Sequence, residues 1–155
     1  MSRTWQGETV IAEGGQGLEG ITFVEDADDP DGGTFYIVNQ GFEDSAPDDA
    51  SAILQVRVPL RDPEADDVQA PILRHMRLPV FNVSAIHYDS GSESLYLLTQ
   101  GDLCRVTTDG EITDTYKMPG EEPEGLTFDS DGQMYFVRDA GGVLTAKMSK
   151  AFDAR

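Results

Sequence analysis

The chain has 155 residues, 39% of them hydrophobic and 8% aromatic, which suffices for one ordinary domain with its own core. Its formal net charge of −18 argues against nucleic acid or an anionic membrane as partner, since both repel such a surface. No apolar run approaches the ~18 residues that span a bilayer, and the one cysteine, Cys104, reads as a small buried filler in "DLCRV".

The start, "MSRTWQGETV", shows no apolar leader segment. Read as a full-length chain the protein is expected in the cytoplasm; read as a trimmed chain it is expected in the periplasm or outside the cell. In chain order, the first predicted strand covers about residues 4–13. The stretch "GETVIAEGGQGLEG" matches "GEITDTYKMPGEEPEG" far downstream, so this strand reads as the last of a repeat unit whose other strands lie elsewhere.

A first full unit follows at about 18–80. It opens on "EGITF", which alternates apolar and polar residues as a strand does, and turns through "DADDPDGG". "TFYIVNQG", "AILQVRV" and "PILRHMRLP" complete it as three further strands. A second unit at about 83–119 repeats the order with "SAIHY", "SLYLLTQG", "DLCRVTT" and "EITDTYKMP", the last two reversing at Asp109-Gly110. A third unit at about 123–149 has "EGLTF", "QMYFVRDA" and "GVLTAKM" and then stops. Tyr36, Tyr96 and Tyr135 fall in register, as do Val38, Leu98 and Val137. The second strand of each unit is a nearly continuous apolar run, the pattern of a strand covered on both faces.

Four-stranded units of this kind predict an all-β fold, a β-propeller with three four-stranded blades per chain. An antiparallel sandwich or a barrel is the alternative, although neither needs such an internal echo. Three blades do not close a ring. The divided third unit predicts that two copies pair, each N-terminal strand completing the last blade of its twin, to give one six-bladed propeller. The rival expectation is a truncated piece of a longer single-chain propeller.

The "EGITF" and "EGLTF" strands, each followed by a turn and an apolar strand ending in a polar pair, resemble bacterial SdiA-regulated propeller proteins. They are similar too to the related family described as esterase-like activity of phytase. "EPEGLTFDSDGQMYFVRD" is the nearest match, and the middle unit departs with Ser84-Ala85 in place of Glu-Gly. The resemblance covers about three repeat units and implies a six-bladed architecture with a calcium ion near the axis.

In a propeller the first strand of each blade lines the central channel, so Glu19 and Glu124 are the candidate metal residues. Crowded carboxylates share protons or bind a cation, and Ca²⁺ suits them; equally, each Glu is expected to bond the backbone N–H groups of the next blade. Gly20 and Gly125 read as sites of close backbone approach. Asn39-Gln40, Thr99-Gln100 and Arg138-Asp139 end the second strands near one mouth, with Asn39 and Arg138 the candidate ligand contacts and loop capping their alternative role. His87 stands where the other units have Thr22 and Thr127, which makes it the candidate general base, against a simple packing role. The Asp26–Gly33 loop fails the EF-hand pattern, because Ile37 stands where the bidentate Glu belongs.

The expected function is therefore a homodimeric six-bladed ring acting as a ligand-binding or scaffold module, with axial Ca²⁺. The alternative is a metal-dependent hydrolase of ester, lactone or phosphoester substrates, in which Ca²⁺ polarises an oxygen and His87 moves a proton. The expected partners are a second copy of the chain and a small molecule.

Overall fold

The computed structural model describes residues 17–41, 50–61, 70–118 and 123–147. It is an all-β arrangement in which the described residues form eleven strands and no helix. The strand expected over about 4–13 lies outside the described residues, as do 42–49, 62–69, 119 and 148–149 of the expected repeat units.

The first sheet runs β1 (Leu18–Glu25), β2 (Gly33–Asn39), β3 (Ala52–Val56) and β4 (Ile72–Arg77), in chain order and antiparallel throughout. The second repeats the meander with β5 (Ala85–Asp89), β6 (Ser94–Leu98), β7 (Asp102–Val106) and β8 (Ile112–Lys117). The third has β9 (Pro123–Phe128), β10 (Gln133–Arg138) and β11 (Val143–Lys147). The second strands β2 and β6 are buried almost end to end, as their apolar runs require.

Each turn after a first strand is built by aspartate. In the first sheet, Asp26 accepts from the backbone N–H of Asp28, and Asp29 from that of Asp31. Asp29 is buried, and its other carboxylate oxygen takes two bonds from Arg57, from Nη2 at 2.7 Å and from Nε at 3.2 Å. The backbone N–H of Asp31, helped by Arg57, holds the Asp29 carboxyl below its ordinary value. In the third sheet Asp129 takes the same place, accepting from the N–H groups of Asp131 and Gln133 and from the Tyr135 hydroxyl. This acid-rich loop is thus a hydrogen-bonded hairpin turn with one structural ion pair.

The core lies between the sheets. One cluster joins Tyr36, Val38 and Ile53 of the first sheet to Ile86, Leu95, Leu97 and Cys104 of the second. Another joins Tyr96, Leu98 and Leu103 of the second to Met134 and Phe136 of the third. Residues that alternate along β6 therefore serve opposite faces, Leu95 and Leu97 one way and Leu98 the other. Each such side chain, fully buried, contributes about 1.5–3 kcal/mol. Cys104 is free and buried, and burial raises its thiol above the ordinary value.

The first strands meet side by side: β5 packs against β1 on one flank and β9 on the other. A Cβ added to Gly20 in β1 would sit 2.9 Å from the Ile86 nitrogen and 3.2 Å from the Ala85 Cα. Only glycine allows that approach without moving a strand.

Candidate functional site

The site grows from two irregularities that recur in the first strands. In β1 the pairing with β2 steps from Leu18–Asn39 to Gly20–Val38, leaving Glu19 as the extra residue of a β-bulge. In β9 the pairing with β10 steps from Pro123–Arg138 to Gly125–Val137, so Glu124 is the extra residue of the equivalent bulge. A bulge takes its residue out of the ladder and re-aims its side chain. Both glutamates are exposed. In the second sheet the equivalent residue, Ser84, precedes β5; its N–H donates to the Leu98 carbonyl and its hydroxyl to the Pro123 carbonyl at 2.6 Å. Ser84 thereby ties the second sheet to the third.

Where these strand beginnings meet the ends of the second strands, a half-open cavity of about 310 Å³ forms. Gln40 and Asp139, each one residue past β2 and β10, and Gln100, two residues past β6, supply one wall. Ser84, Pro123 and Glu124 supply the other, and Asn82 lies between the first and second sheets. Asn82 has a φ of 53°, a left-handed conformation that asparagine tolerates better than most residues. Its N–H donates to the Gly41 carbonyl at 2.8 Å, and its amide Nδ2 to Gln100 Oε1 at 3.4 Å.

The expected site residues divide across this geometry. Glu124 lines the cavity, whereas Glu19 belongs to the matching bulge one sheet away from β5. Asn39 and Arg138 do not line it; their chain neighbours Gln40 and Asp139 do. Asn39 is buried, its Nδ2 donating to the Gln40 carbonyl at 3.4 Å, and its Oδ1 has no partner among the described residues. Arg138 Nη2 donates to the Gly141 carbonyl at 3.3 Å, in the turn before β11. Thr99 caps the turn into β7, its hydroxyl accepting from the Asp102 N–H at 3.1 Å. Capping thus accounts for Thr99 and for the Arg138 guanidinium contact.

His87 does not line the cavity. Its ring stacks on Phe128 of the third sheet, centroids 5.1 Å apart and planes 19° from parallel, beside the Tyr96–Phe128 pair. Burial lowers its pKa below 6.5, only partly opposed by Asp89. A neutral ring packed among aromatics is what this position holds.

Chemically, the cavity offers carboxamides that both donate and accept, a serine hydroxyl already engaged, and two carboxylates, with no lysine or arginine among the described residues of its lining. It suits a polar neutral or cationic ligand and repels anions. Among the described residues, no group of three or more His, Cys, Asp or Glu side chains is arranged to hold a metal ion. Sequence reasoning missed Asn82; the asparagine of "FNVS", standing just before a first strand, was its one visible signal.

No family model matches the chain, and no curated protein matches it. Among solved structures, a protein of unknown function from Bacteroides caccae is similar over 92% of this chain, with a TM-score of 0.58 and 13% sequence identity. At that identity the likeness concerns the fold alone. The chain spans 46% of that protein's length.

Proposed function

We propose that this chain is half of a six-bladed β-propeller, that two copies close the ring, and that the ring is a ligand-binding or scaffold module whose ligand site is the polar opening at the strand beginnings. The observation that carries the reading is the convergence of three first strands, β1, β5 and β9, on one flank of the molecule, with a polar cavity at their common end. The length ratio to the Bacteroides caccae structure supports it, since a chain about twice as long has room for the same arrangement twice over. The resemblance of "EGITF" and "EGLTF" to SdiA-regulated propellers belongs to the same reading.

Light scattering tests it. A homodimer has about twice the 16.9 kDa of one chain at micromolar concentration; a stable monomer refutes closure by a second copy. The same length ratio favours a second reading, in which the chain is one half of a longer single-chain ring, and a well-behaved monomer points there. Ca²⁺ is tested separately: stabilisation on adding Ca²⁺, lost in Glu124→Gln, supports a cation at the opening, and an unchanged melting temperature counts against it.

A further inference from the structure

We infer that the second copy seats the β1 face bearing Ile21 and Phe23 on the open face of the third sheet, which bears Gly125, Thr127 and Val137, repeating for a third time the junction that the chain twice makes with itself. The inference rests on the dimer reading above and says which surfaces carry it.

The two internal junctions are built alike. At the first, Gly20 brings β1 within contact of the β5 backbone, the Thr22 hydroxyl accepts from the Tyr88 N–H at 3.0 Å, and Val38 shares a core cluster with Ile86. At the second, Ala85 and His87 stand in for Gly20 and Thr22, His87 stacks on Phe128, and Leu98 packs in one cluster with Leu126. The third sheet then returns to the residues of the first: Gly125, Thr127 and Val137 occupy the positions of Gly20, Thr22 and Val38.

What differs is cover. Val38 and Leu98 are 0% exposed, whereas Val137 is 47% exposed. The complementary half is bare on the first sheet, where Ile21 is 60% exposed while its counterpart Ile86 is 5% exposed. Ile37 and Leu54, on the same face as Ile21, are already buried within the chain, so the contact centres on β1. One chain thus carries both halves of a single junction on opposite flanks. Two copies related by a twofold axis satisfy both halves at once, and such a head-to-tail contact closes after two. In the register of the internal junction, the Thr127 hydroxyl accepts from the N–H of Phe23 in the second copy.

The experiment is light scattering on the intact chain and on Ile21→Arg and Val137→Arg, each of which places a charge in only one half of the junction. Both variants are expected to weaken the dimer at least about a hundredfold, because either halts a head-to-tail contact. If only one does so, the dimer forms by apposing identical faces; if neither does, it forms elsewhere. Both outcomes overturn this inference and leave the dimer reading standing. A monomeric parent chain overturns both together. Circular dichroism checks that each variant folds, and Ile21→Ser and Val137→Ser carry the same test by a raised dissociation constant should an arginine variant fail that check.

Discussion

Gly20→Ala probes the closest contact between two sheets. The added methyl would lie 2.9 Å from the Ile86 nitrogen and 3.2 Å from the Ala85 Cα, where ordinary van der Waals contact begins near 3.4 Å. Both atoms are backbone, so no side chain can rotate away; β1 and β5 must separate by several tenths of an ångström. Overpacking of this kind costs about 1–3 kcal/mol, and alanine's stiffer unfolded chain offsets about 0.4–1 kcal/mol of it. A net loss of about 0.5–2 kcal/mol is expected, a sizeable part of the ~5–15 kcal/mol that holds a domain. Urea unfolding at fixed protein concentration reads this as a midpoint lowered by a few tenths of a molar to about 1 M. Gly101→Ala is the control, because a Cβ there meets nothing within 4 Å. A Gly20→Ala midpoint equal to or above that of the parent refutes the close approach of the first strands.

Three more outcomes follow from the packing. Leu98→Ala, at a fully buried position between the second and third sheets, should lose about 2–5 kcal/mol in urea unfolding. Because the folded pKa of His87 lies below 6.5, the unfolded chain binds more protons there, and stability should fall as pH drops from about 6.5 through the folded value. His87→Phe should flatten that slope in melts taken across the range while retaining the stack on Phe128. Asp29 has the opposite chemistry with the same sign. Its lowered pKa stabilises the fold above about 3.8, that contribution is lost as pH falls through the folded value, and Asp29→Asn should blunt the acid limb of a pH titration of stability.

The strands were legible because their pattern is redundant: alternation in "EGITF", continuous apolar character in "SLYLL" and in-register tyrosines all point to the same pairing. The polar ends of the second strands were legible as a group, but not which residue of each pair faces the cavity. Asn39 is the last residue of β2, opposite Ala52, and is buried, while Gln40 just beyond it lines the cavity. Strand parity says which face a side chain takes and is silent on where the ladder stops. The bulges at Glu19 and Glu124 escaped for a related reason: an extra residue is visible only against its partner strand. His87 read alone left a catalytic and a packing role both open, and the Phe128 ring that stacks on it comes from a strand about forty residues away.

The Thr22 hydroxyl on the Tyr88 N–H has a bearing on self-protection. Each first strand is the margin of its own sheet, and the outward amides of a margin invite stray β-segments to add on. Here a side chain from the neighbouring sheet fills that position with one hydrogen bond, so the sheets remain separate layers and the margin is quenched where a foreign strand would begin to zip.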